Sequence, residues 1–321
     1  MMKDKSCNVL YEKEICLMEL RQLQYALQIA AEKNFSRAAE KLHIAQPSLS
    51  QQLAKLEKEL GVLLFSRNTN SVELTHAGAA FMEKAHMILD MVGQLTKEME
   101  DISELKKGKL IVGSLPITGS HILPRVLPLF HSRYPGIEIH LIEDTTQVLE
   151  HLTAAGQTDI CLLTLPVLEE NLAYDQLAEE EILLAVPPRH RLSPRDGQAA
   201  CAGEVSIREL HDEPFIVLKR GQGFRQIALE LCRQNGFEPR IVFESSNIET
   251  VQSLVAAGMG IAFVPRMIAM GHGTAFMPVY LRLTERPSRM LAVAYRKGRY
   301  ISKASVAFMD VVREVMSDSL A

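Results

Sequence analysis

The hydrophobic positions of this chain change period along its length. From Leu20 to Lys33 apolar residues recur at helical spacing, with Leu23, Leu27 and Ala30 or Ala31 turned inward, and predict a helix. Residues 36–60 predict a short helix, a tight turn bracketed by Leu42 and Ile44, and a longer helix. Ala38 and Ala39 are small enough for two helices to cross closely, and Pro47 fits the first turn of the longer helix, where its missing N–H costs nothing. Leu49, Leu53, Leu56 and Leu60 form that helix's buried stripe, while Ser48, Ser50 and Gln51 are short hydrogen-bonding side chains near its N-terminus. A helix built this way can lay its N-terminus in a major groove, so the pair reads as helix-turn-helix. Polar turn-formers between two apolar strands within 61–75 then predict a hairpin, the wing, with Arg67 able to meet a phosphate.

Thr75 can cap a long helix starting at His76 or Ala77. Inside it Phe81, Ala85, Ile88, Val92, Leu95, Met99 and Ile102 alternate steps of four and three, a heptad seam of about three heptads. A seam placed between two domains and flanked by Lys97, Glu98, Glu100 and Asp101 predicts a joint between two subunits. From Lys109 the pattern changes to short apolar strands alternating with helices. Strands are predicted at 110–113, 137–142, 160–163, 182–186, 215–218, 241–243 and 261–264. Helices are predicted at 123–133, from the capping box Asp144–Gln147 to Gly156, and at 224–235, 247–257 and 303–316. Strand-helix-strand units predict mostly parallel α/β lobes.

Composition adds boundaries rather than an identity. The chain has 321 residues, a formal net charge of −4 and ordinary charged and apolar fractions, so two or three soluble domains are expected. No apolar run is long enough to span a bilayer, and residues 1–17 carry no apolar core of a secretory signal, which predicts a cytoplasmic protein with an N-terminal extension. Segment 18–75 holds seven Lys and Arg against six Glu, too few cations to argue DNA binding by charge alone. The five cysteines, Cys7, Cys16, Cys161, Cys201 and Cys232, are scattered without a Cys-x-x-Cys pair, and no histidine pair has metal-ligand spacing. No metal and no cofactor is expected. A nucleophile elbow, a P-loop and paired carboxylates are all missing, which argues against an enzyme.

Several motifs follow one another at a specific spacing: Leu20-Arg21-Gln22-Leu23-Gln24-Tyr25, Phe35-Ser36-Arg37-Ala38-Ala39, Ala45-Gln46-Pro47-Ser48-Leu49-Ser50, Leu56-Glu57-Lys58-Glu59-Leu60-Gly61, Leu64-Phe65 and Leu74-Thr75-His76-Ala77-Gly78. In these the chain resembles the LysR-type transcriptional regulators, and Leu254-Val255-Ala256-Ala257-Gly258-Met259-Gly260-Ile261 resembles that family's effector-binding domain. The resemblance implies an N-terminal all-α winged helix-turn-helix over 18–75 and a linker, a coiled-coil dimerisation helix, over 76–107. It also implies an α/β effector domain of two lobes over 108–321, similar to type II periplasmic binding proteins. It implies double-stranded DNA, a small-molecule effector and further copies of the chain, as a dimer of dimers, for partners, and no membrane. DNA contact is expected from Ser36, Arg37, Gln46, Pro47, Ser48, Ser50, Gln51, Lys55 and Arg67. Ala45 stands where many members have Ser, Gln51 where many have Arg, and Asn68, Asn70 and Ser71 where wing tips are commonly basic.

In parallel α/β lobes ligands bind at the carboxyl ends of strands, often at helix N-termini. Three places fit: the loop Ser114–Ser120, Thr164, and Ser246-Asn247-Ile248-Glu249. The resemblance implies that these face each other across a cleft, joined by the loop Lys219–Phe224. Effector contacts are therefore expected from Ser114, Pro116, Ile117, Thr118, Thr164, Gly221, Phe224, Ser246, Asn247 and Pro265. Exposed N–H groups, with Lys219, Arg220 and Arg225 nearby, suit a small anionic ligand. The alternative reading is a thiol redox sensor of the same architecture, using Cys201 with Cys161 or Cys232. An enzyme or a plain solute-binding protein fits the motifs least.

Overall fold

The computed structural model describes residues 18–68, 71–102, 108–193, 203–269 and 277–320. The expected N-terminal extension, Asn70 and Cys201 fall outside these. The chain divides into two bodies, 1–96 and 97–321, and the division falls inside one long helix.

In the first body α1 (Leu20–Glu32), α2 (Phe35–Lys41) and α3 (Gln46–Leu60) precede a hairpin of β1 (Phe65–Asn68) and β2 (Ser71–Leu74), and α4 runs from His76 to Ile102. The helices close on a core of Ala26, Ile29, Ala38, Ala39, Leu49, Leu53, Leu56, Leu64, Phe65 and Met82. Asn34 caps α2 by accepting the Arg37 N–H, and His43 turns the chain toward α3 with a left-handed φ of 55°. Alanine at position 45 leaves α3 without a side-chain cap. The α2–α3 turn holds instead through backbone bonds, Ile44 N–H to Ala39 O at 3.0 Å and Leu49 N–H to Ala45 O at 3.1 Å. Buried Glu57 reaches out of α3 to accept the N–H groups of Leu64 and Phe65 and so fixes the start of the hairpin.

The second body has two lobes. Its elements, in order, are β3 (Gly108–Ser114), α5 (Pro116–His121), α6 (Leu123–Arg133), β4 (Ile137–Glu143), α7 (Thr146–Ala154), β5 (Ile160–Thr164), β6 (Leu172–Val186) and β7 (Glu204–Val205). There follow β8 (Pro214–Leu218), α8 (Gly223–Gln234), β9 (Arg240–Ser245), α9 (Ile248–Ala256), β10 (Ala262–Pro265), α10 (Arg266–Ala269), β11 (Val279–Leu283), β12 (Ser288–Arg296) and α11 (Lys303–Leu320). In the first lobe β3 pairs in parallel with β4 and β5, and β12 runs antiparallel between β5 and β6. In the second lobe the far half of β6 pairs antiparallel with β10 and β11, while β8 and β9 pair in parallel. Leu110, Val112, Phe130, Ile160, Val293 and Phe308 centre one core, and Leu183, Phe215, Val251, Phe263 and Leu281 the other.

The sheet is mixed rather than mostly parallel. The difference comes from β6 and β12, which pair antiparallel from Ser288 opposite Glu181 to Arg296 opposite Leu172. Only the apolar end of β6 shows in the sequence. Its first ten residues mix Leu172 and Ala178 with Asp175 and Glu179–Glu181, and the alternation is lost in charge. The capping box expected at Asp144–Gln147 does not form either. The N-cap of α7 is Thr145, and Asp144 spends its carboxylate on the Thr145 N–H at 2.7 Å.

Candidate functional site

The predicted DNA-reading residues fall on α2, α3 and the wing. Gln46, Pro47, Ser48, Gln51 and Lys55 are exposed along α3, spaced so that 47, 51 and 55 lie one above another. Gln46 Nε2 donates to Ser50 Oγ at 2.9 Å, which holds the two side chains together at the start of the helix. Ser36 and Arg37 are exposed at the start of α2, and Arg37 Nη2 donates to the Glu32 carbonyl at 3.3 Å. Lys55 lies about a long ion-pair distance from Glu19 and Glu59, 4.0 and 3.9 Å, loose enough to release it to a phosphate. Arg67 lies on β1, in the wing.

The wing is tied down by the segment Leu74–Gly78. Thr75 donates its hydroxyl to the Leu63 carbonyl at 2.7 Å and accepts the Gly78 N–H at 2.9 Å, capping α4 as its sequence suggested. A Cβ on Gly78 would collide with the Leu64 carbonyl, so the glycine lets α4 begin directly against the wing.

Between the lobes lies a cavity of about 460 Å³. Of the residues expected to touch a ligand, Pro116, Ile117, Phe224, Ser246 and Asn247 line it. Ser114, Thr118, Thr164 and Pro265 are buried and are not on its wall. Among the described residues the Thr118 and Thr164 hydroxyls have no hydrogen-bond partner. Gly221 works between the lobes: its carbonyl faces the Gln147 N–H at 3.5 Å, beside a shorter bond from Gly223 N–H to Thr146 Oγ1 at 3.0 Å. Asn247 caps α9 by accepting the N–H groups of Glu249 and Thr250, so two of the donors expected to face a ligand are already satisfied.

Lys219, Arg220 and Arg225 do not line the cavity. Arg225 Nη1 is committed to the Leu218 carbonyl at 2.6 Å and to Glu244 at 2.8 Å. Gln222 and Glu249, from two of the loops expected to face the cleft, also line it, together with residues the sequence does not point to: His121, Glu143, Asp144, Thr145, Thr146 and Arg289. Arg289 is a fully buried cation. Its Nε and Nη2 bond Glu180 Oε2 at 2.8 and 2.7 Å, and its guanidinium lies over the Phe224 ring, 5.4 Å from the centroid. No strand is predicted at β12, although Met290-Leu291-Ala292-Val293-Ala294 is an apolar run of strand length, and Arg289 goes unselected with it.

Cys161 and Cys232 are fully buried, and burial pushes both thiols up to about 12. Among the described residues no group of three or more His, Cys, Asp or Glu could hold a metal ion. No helix among them is long and apolar enough to cross a membrane.

Two family models match the chain. One, for the bacterial regulatory helix-turn-helix protein of the lysR family, covers residues 20–79. The other, for the LysR substrate binding domain, covers residues 103–317. The uncharacterized HTH-type transcriptional regulator YcgK of Bacillus subtilis is 39% identical over 94% of this chain and 96% of its own. Among solved structures, a full-length OxyR variant from Pseudomonas aeruginosa is 27% identical with a TM-score of 0.68, over 92% of this chain and 95% of that one. Full-length CbnR in complex with its target DNA shares the fold at 24% identity and a TM-score of 0.67, over 93% of this chain and all of that one.

Proposed function

This chain belongs to the LysR family of helix-turn-helix transcriptional regulators, and from that premise we propose how its two bodies divide the work. The N-terminal body reads an operator with the exposed face of α3. Gln46, Ser48, Ser50 and Gln51 approach base edges, while Arg37, Lys55 and Arg67 approach phosphates. The C-terminal body takes a small cytoplasmic effector in the cavity between its lobes, and binding alters DNA binding or promoter activation. The observation that carries the effector reading is the cavity itself. It lies between two lobes joined by the crossing strands β6 and β12, lined from both sides, and large enough for a small metabolite.

The DNA half is tested on the full chain by titrating a fluorescent duplex from its own upstream region and a random duplex. Gln51→Ala is expected to weaken specific binding by about 1–3 kcal/mol and to leave random-duplex binding nearly intact. Lys55→Ala is expected to weaken both and to flatten the salt dependence by about one counterion. Equal losses on the two duplexes for Gln51→Ala would remove it from the base-reading set.

Thiol redox sensing is the second reading, and the OxyR relative is what favours it. Against it, the Cys161 and Cys232 thiols are buried and held protonated, and a thiol in that state is a poor nucleophile. Peroxide treatment followed by thiol labelling separates the two. Effector sensing leaves Cys161 and Cys232 unmodified in the native protein.

A further inference from the structure

The cavity wall makes two opposite electrostatic demands. One comes from Arg289. Its side chain is entirely buried, and Glu180 takes only its Nε and Nη2 hydrogens, both on Oε2. The other Glu180 oxygen is occupied by the Met267 N–H at 2.7 Å. Among the described residues Nη1 has no hydrogen-bond partner. An unpaired donor on a buried guanidinium is costly, and an acceptor arriving through the cavity would satisfy it with a charge-assisted bond. The N-terminal ends of α8 and α9, at Gly223-Phe224 and Asn247-Ile248, open on the same cavity and add positive potential.

The other comes from Glu143, Asp144 and Glu249, which also line the cavity. They come from three separate points, the end of β4, the turn after it and the first turn of α9. The Glu143 carboxylate lies beside Gly119 of α5, where a Cβ would meet it. Among the described residues that line the cavity there is no Lys and no Arg besides Arg289. Three carboxylates, with His121, therefore share the cavity wall with one guanidinium that is already paired.

We infer that the effector is a small zwitterion of amino-acid type, with its acid group on Arg289 Nη1 and its ammonium group toward Glu143, Asp144 and Glu249. A simple dicarboxylate would press its second charge against these three acids, and like charges without compensation are rejected. A simple cation would leave Nη1 unpaired. Only a ligand carrying both charges answers both demands. This rests on the reading of the cavity as the effector site.

The test uses the full chain, thermal denaturation and calorimetric titration. The probes are the twenty standard amino acids singly, succinate, glutarate and 1,4-diaminobutane. Three variants accompany the wild type. Arg289→Lys keeps a cation for Glu180 and deletes Nη1, and Glu143→Gln with Asp144→Asn removes two rim charges at accessible positions. Ser246→Trp fills the cavity from an exposed position. The expected result is that one or more amino acids raise Tm while succinate, glutarate and diaminobutane do not. Affinity for them should fall about tenfold or more in Arg289→Lys and in the rim variant, as loss of one charge-assisted contact requires, and vanish in Ser246→Trp. Stabilisation by a dicarboxylate or the diamine alone, by none of the probes, or undiminished amino-acid affinity in the rim variant overturns the zwitterion. An amino-acid shift that survives in Ser246→Trp overturns the cleft reading itself, because the ligand then binds elsewhere.

Discussion

Gly78 shows how a single residue carries geometry that its neighbours only suggest. The Leu64 carbonyl occupies the place where a side chain would begin. Gly78→Ala is therefore expected to destabilise the protein by about 1–3 kcal/mol, as overpacking does, in a denaturant titration. Buried Glu57 works at the same joint. Glu57→Ala strands the N–H groups of Leu64 and Phe65 and should cost about 1.5–3 kcal/mol by the same measurement. Glu150 is the residue whose charge the fold resists. Burial raises its pKa above 4.5, although the Leu168 and Glu169 N–H groups donate to Oε2 and pull the other way. Between 4.5 and that raised value the folded state keeps a proton the unfolded chain has released, so this group's contribution to stability falls as pH rises through the window. Glu150→Gln should flatten that part of a Tm-against-pH curve. An unchanged slope would assign it to another group.

At the scale of elements, α4 stands out. Phe81 packs against the core of the first body, and Met82 and Ala85 are buried, so its first turns are anchored. Beyond them Ile88, Val92, Leu95 and Met99 are exposed, with Met87 and Met91 beside them. Leu95 is 58% exposed and Met91 70% exposed, more apolar surface than an isolated helix would leave to water. We propose that this stripe is the seam of a dimer, which would present two recognition helices to two half-sites. Val92→Asp places an unpaired charge there. It should lower the mass in light scattering and abolish tight operator binding, while the circular dichroism of the chain stays folded. Wild-type mass with normal DNA affinity would remove α4 from the interface. Within the second body Lys97 pairs with Asp159, and Asp101 accepts from Tyr300 and from the Lys303 N–H.

At the scale of the whole molecule, the lobes of the effector domain are joined by the pairing of β6 with β12. Arg289 and Glu180 face each other in that pairing. A ligand held by Arg289 would thus act on the strands that connect the lobes. Thr146 makes a second connection through the Gly223 N–H at 3.0 Å. Thr146→Val keeps the shape and removes the acceptor, so amide exchange at Gly223 should rise while the cores of the two lobes stay protected. Ligand binding then shifts the arrangement of lobes only by its differential affinity for the alternatives.

The sequence by itself determined the elements whose signals are local. The helix-turn-helix, its buried leucine stripe, the capped start of α4 and most strands and helices of the lobes are periodicities and turn residues that need no distant partner. It also pointed to the cleft, because strand ends followed by helix starts are adjacent in the chain. The tertiary structure alone decided the rest. Charged residues in the first half of β6 read as solvent-facing until Glu180 meets Arg289 from a strand 109 residues away. Thr164 and Ser114 read as exposed loop hydroxyls but are buried, Thr164 where β5 pairs with β12 and Ser114 where β3 pairs with β4 and β5. Arg225, near the cleft in sequence, is turned to Leu218 and Glu244, and the acids that line the cavity come from three separate points of the chain. Charge in a cavity is set by which side chains converge in space, and that convergence has no period along a chain.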